Sequence, residues 1–67
     1  MKYEAAVRDY TVDGTLTVEV VLLSLDDYQS ELLAHSVMRA IYPKSGYRLI
    51  KHIALGDEHT FVFVVGD

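Results

Sequence analysis

The sequence predicts an α+β domain in the order β-β-α-β-β: a four-stranded, mainly antiparallel sheet with one helix packed on one face. Three observations carry that expectation. Asp13-Gly14 stands between two β-forming stretches, the signature of a two-residue hairpin turn. Apolar residues at helical spacing run from Leu25 to a stop at Pro43. After Gly46, two stretches rich in Tyr, Ile, Val and Phe read as strands. Residues 1–67 carry no linker, repeat or low-complexity segment, so one domain is expected.

The hairpin register follows from the turn. A two-residue loop pairs Val12 with Thr15, Tyr10 with Thr17, Arg8 with Glu19, Ala6 with Val21 and Glu4 with Leu23. Arg8 then lies opposite Glu19, an opposite-charge cross-strand pair. Leu16, Val18, Val20 and Leu22 share the other face. The helix is expected over Leu25–Tyr42, with Ser24 as N-cap and Asp27 at the capping-box position. Asp26, Asp27 and Glu31 sit where the helix dipole favours negative charge. Pro43 ends the helix, because a residue before proline avoids the α region.

Strand three is expected over Tyr47–Leu55 and strand four over Thr60–Val65, joined by a Gly56–His59 loop. Strand four is apolar on both faces, and one helix covers only one face of a sheet. A partner or a second copy of the chain, as a homodimer, is expected on the other. A crossover helix between strands two and three suggests the sheet order 2-1-3-4, with every neighbouring pair antiparallel.

Length and composition narrow the classes. A chain of 67 residues buries only about 60% of the surface its unfolded form exposes. With no Cys, neither a disulfide nor a thiolate metal site can reinforce it. The 51% hydrophobic content favours a folded domain over disorder. No apolar run reaches a membrane span, and Lys2 and Glu4 stand where a signal peptide is apolar. A cytoplasmic protein is expected.

Charge is unevenly placed. Leu32 to Gly56 contains no acid but holds Arg39, Lys44, Arg48 and Lys51, so it is formally +4. The remainder sets ten acids against Lys2 and Arg8, or −8, which yields the net −4. Dipole complementarity accounts for Arg39 and Lys44 at the helix C-terminus. It does not account for Arg48 and Lys51 on a strand. A partner-binding patch is therefore expected from Arg39, Lys44, Arg48 and Lys51, rimmed by Tyr42 and Tyr47.

On the helix, Leu25, Leu32, Leu33, Ser36, Val37, Ala40 and Ile41 form the expected core stripe. The opposite arc holds Asp27, Tyr28, Glu31, His35, Met38, Arg39 and Tyr42. Of these, Tyr28, His35 and Met38 are secondary interface candidates, since aromatic residues, Met and Arg are enriched at interfaces. No catalytic residue is assigned. Asp26 and Asp27 point about 100° apart and cannot share a proton. Lys44-Ser45-Gly46 follows a helix where a phosphate loop precedes one. Asp57-Glu58-His59 reads as a turn, so no metal or other cofactor is expected.

Ser24-Leu25-Asp26-Asp27, Tyr42-Pro43 and Gly46-Tyr47-Arg48-Leu49 together resemble a pattern in very small bacteriophage proteins. That pattern is a strand, a capped helix, a Tyr-Pro stop, then a Gly-aromatic basic strand. The chain resembles the small early phage inhibitors of bacterial RNA polymerase, and is similar to some anti-CRISPR proteins of this size. The likeness covers roughly Leu22 to Ile53; a longer helix and a strand after Leu55 depart from it. It implies a phage-encoded, non-enzymatic inhibitor in the host bacterial cytoplasm. Its target would be a larger host protein or complex, RNA polymerase or a defence complex, contacted through Arg48 and Lys51. The alternatives are a small nucleic-acid-binding module using the same patch and a self-assembling structural protein.

Overall fold

The computed structural model describes residues 4–23 and 26–66. Strands β1 (Glu4–Val12) and β2 (Thr15–Leu23) precede helix α1 (Asp27–Ile41), and strands β3 (Tyr47–Leu55) and β4 (Glu58–Val65) follow it. The fold is α+β, with all four strands in one antiparallel sheet. Asp13 and Gly14 both take positive φ, 51° and 78°, as a type I′ turn requires. The β1–β2 register agrees with the sequence reading from Val12↔Thr15 to Glu4↔Leu23.

The sheet order is β1-β2-β4-β3, which corrects the expected 2-1-3-4. The reason lies in strand composition. β4 offers Phe61 and Phe63 to one face and Val62 and Val64 to the other, so it gains most from two flanking strands. β1 carries Arg8, Asp9 and Tyr10, is exposed along its whole length, and takes an edge.

α1 packs over the two central strands, β2 and β4. Val18, Val20, Leu22, Phe61 and Phe63 from the sheet meet Ala34 and Met38 from the helix in a fully buried cluster. The buried helix face is Ser30, Ala34 and Met38, each four residues apart. This corrects the expected stripe: Leu32 is 51% exposed, Ile41, Ser36 and Ala40 are also exposed, and only Leu33 and Val37 pack at the margin. Two phenylalanines already fill the space above the sheet. Small residues at 30 and 34 let the backbone approach them, so volume matching overrides the count of apolar side chains.

Asp26 caps the helix, its carboxylate accepting from the Gln29 N–H at 2.8 Å. Ser24 and Leu25, the expected cap and first helical residue, lie outside the described residues. At the other end the Tyr42 N–H donates to the Met38 carbonyl at 2.8 Å before Pro43. Among the described residues, no helix is long and apolar enough to cross a membrane.

β3 contains an irregularity between Leu49 and Lys51. Leu49 pairs with Phe63 and Lys51 with Val62, leaving Ile50 as an extra residue, a β-bulge. In a regular strand, residues three apart point to opposite faces. The bulge instead puts Arg48 and Lys51 on the same one.

Candidate functional site

The face of the sheet away from α1 has no covering layer among the described residues. The registers give its rows. Arg8, Glu19, Val62 and Lys51 form one; Tyr10, Thr17, Val64 and Arg48 form the next; Ala6, Val21, Thr60 and Ile53 form a third. The centre of this face is nonetheless shielded by its neighbours, with Thr17 and Val62 only 6% and 8% exposed. Ile53 and Leu55 are exposed towards the β3 edge. A shallow groove lined by Thr15, Tyr47, Arg48 and Val64 continues the surface at the turn end.

Charge on this face separates into a satisfied half and an open half. On the β1 side, Arg8 Nη2 donates to Glu19 Oε1 at 2.7 Å, and the Tyr10 hydroxyl donates to Glu19 Oε2 at 2.7 Å. The Tyr10 hydrogen bond and then the Arg8 guanidinium hold the Glu19 carboxyl below its ordinary range. The same contacts to Glu19 raise Tyr10 and Arg8 above theirs. On the β3 side, Arg48 and Lys51 are exposed, and among the described residues neither pairs with a carboxylate.

The expected six-residue patch is divided between layers. Arg48 and Lys51 occupy the open face. Arg39 lies on the helix, donating to Ser36 Oγ at 3.2 Å, and Lys44 is exposed in the turn after it. The two tyrosines are half-buried on the helix side. The Tyr42 hydroxyl donates to Asp9 Oδ2 at 3.5 Å, and burial, then the Asp9 charge, push its pKa up. The Tyr47 hydroxyl donates to the His35 carbonyl at 3.4 Å, and its ring meets Phe63 edge-on at 5.7 Å. Both tyrosines thus pack on the helix side, and Tyr47 also lines the turn-end groove beside Arg48.

The secondary candidates also separate. Tyr28 is 72% exposed, His35 is half-buried against Phe63 at 5.3 Å, and Met38 is fully buried in the core. Met38, expected on the outward arc, belongs instead to the buried Ser30–Ala34–Met38 face of α1.

A second constellation escaped the sequence reading. His59, expected in a loop, is in β4 and only 4% exposed. Its Nδ1 lies 3.0 Å from His52 Nε2 on β3 and 3.5 Å from Asp27 Oδ1 in the first turn of α1. His52 stacks on Phe61 at 4.2 Å with 10° between the rings. The available signal was Gly56-Asp57. Read as a two-residue turn, it pairs Leu55 with Glu58 and brings His52 and His59 to one face.

No protein-family model, no curated protein and no solved structure matches this chain.

Proposed function

We propose that the chain is a small, non-enzymatic binding protein that docks the open face of its sheet onto an acidic surface of a larger protein. The observation that carries this reading is the bulge at Ile50, which sets Arg48 and Lys51 side by side on an uncovered face. Apolar neighbours Val64, Ile53 and Leu55 supply area to bury, and the two free cations supply register and steering. The likeness to small phage inhibitors points the same way: a phage-encoded blocker of a host complex such as RNA polymerase. The nucleic-acid alternative is weakened, because the Tyr42 and Tyr47 hydroxyls are engaged on the helix side and only Tyr47 lines the groove beside Arg48.

The division of the basic residues supplies the test. Wild-type protein is immobilised and used to capture partners from bacterial lysate, beside Arg48→Glu/Lys51→Glu and Arg39→Glu/Lys44→Glu. The first pair of reversals should abolish capture of the wild-type partner, and the second should leave it. Equal capture by all three proteins would refute the assignment. A shift with single-stranded or duplex oligonucleotides at low salt, lost on adding salt, would favour the nucleic-acid module instead.

A further inference from the structure

The geometry points to a binding site for a divalent transition-metal ion, of the Zn²⁺ class, formed by Asp27, His52 and His59. One donor atom from each of these residues falls within 4.8 Å of the others. They come from three elements, α1, β3 and β4, so the tertiary fold assembles the cluster.

Two physical arguments favour an ion over a simple hydrogen bond. The first is spacing. Donors about 2.0–2.1 Å from a tetrahedral Zn²⁺ lie about 3.3 Å from one another. Two of the three separations, 3.0 Å and 3.5 Å from His59 Nδ1, bracket that value. The third, between the exposed side chains of Asp27 and His52, is wider but within 4.8 Å, and narrows by side-chain rotation as the ion binds. The second is proton count. A neutral ring nitrogen carries either a proton or a lone pair. If His59 Nδ1 holds the proton, it can donate to His52 or to Asp27 but not well to both. If it holds the lone pair, it accepts from His52 and repels the carboxylate. A cation at the centre satisfies all three lone-pair donors at once. Two imidazoles and one carboxylate suit Zn²⁺ and its neighbours, with water completing the coordination.

The surroundings set the expected strength. His59 is buried and held in place, while Asp27 and His52 are exposed, which leaves the ion a path from solvent. The positive end of the α1 dipole opposes a cation there, and the Asp27 carboxylate offsets it. Binding should therefore be reversible and sensitive to loss of any one ligand.

The test is a Zn²⁺ titration followed by calorimetry and by histidine ring NMR. One equivalent should bind, with the His52 and His59 signals shifting together. His59 is buried and part of the packing, so the variants are Asp27→Asn and His52→Asn, both at exposed positions. Each should weaken binding by about tenfold or more, since loss of even an outer-shell partner typically costs about 10–100-fold. A surface competitor exists, because His35 Nε2 lies 4.0 Å from Glu31 one helical turn away. His35→Asn should leave Zn²⁺ binding intact. Binding lost in His35→Asn and retained in the other two would overturn the site. So would no binding to the folded wild-type protein, which would mark the histidine pair as a hydrogen bond only.

Discussion

Glu19 is the best-satisfied charge on the open face, and its two partners make it a probe of folding. Its carboxylate accepts from both Arg8 and Tyr10, which lowers its pKa in the native state. In the unfolded chain it returns to about 4.3, the ordinary glutamate value. The stabilisation is thus fully present above that pH and declines as pH falls through the lower native value. Tyr10 behaves oppositely: its raised pKa contributes below its ordinary value of about 10, and the contribution is lost only as alkali ionises the native hydroxyl. Urea midpoints measured from pH 7 down to pH 3 should show this acid-side loss. In Glu19→Gln the slope should be shallower, since that group no longer titrates. An identical slope in both proteins would mean that the Arg8–Glu19–Tyr10 contacts do not persist in solution. Water screens all three groups, so the effect is expected to be small at every pH.

At the scale of elements, the turn sequences set the outcome, and they explain what could be read in advance. The Asp13-Gly14 turn fixed the β1–β2 register residue by residue, because a two-residue type I′ loop allows one alignment. Gly56-Asp57 makes an equally short turn but was read as part of a four-residue loop, which concealed His59. The α1 face was not legible for another reason. Leu32, Leu33, Val37, Met38 and Ile41 spread around the helix, and the choice of face depends on Phe61 and Phe63 across the interface. The bulge has no glycine to announce it. Tyr47–Leu55 simply alternates badly, and that bad alternation is the bulge itself. A deletion tests this account. Removing Ile50 should leave Leu49 opposite Phe63 and Lys51 opposite Val62, so every side chain keeps its face. Ile50 is also half exposed, so little burial is lost. The deletion variant should fold with a loss below about 1 kcal/mol, in the range of mild surface changes. A regular strand would invert beyond the deletion, moving Lys51 into the helix side and His52 out of it. Unfolding of the deletion variant by urea titration would therefore contradict the bulge.

For the molecule as a whole, the buried core lies on the helix side of the sheet, and the exposed Arg48 and Lys51 lie on the other. Among the described residues, the fully buried apolar core is seven side chains, all on the helix side. A domain of this length is held by roughly 3–10 kcal/mol, at about 0.05–0.15 kcal/mol per residue. Phe63 is fully buried between the Tyr47 and His35 rings, with centroids at 5.7 and 5.3 Å. Truncating a buried phenylalanine to alanine typically removes about 3–5 kcal/mol. Phe63→Ala should therefore remove about a third or more of the stability, visible as a much lower urea midpoint or as loss of cooperative unfolding. Leu55, 69% exposed at the end of the open face, provides the contrast. In an isolated monomer Leu55→Ser should change stability by no more than about 0.5 kcal/mol. If the open face instead closes on a second copy, the wild-type unfolding midpoint should rise with protein concentration, and Leu55→Ser should weaken that dependence. Midpoints at two concentrations a hundredfold apart separate the cases. A constant midpoint, with Leu55→Ser neutral and Phe63→Ala strongly destabilised, is the outcome expected of a monomer that keeps this face for a different protein.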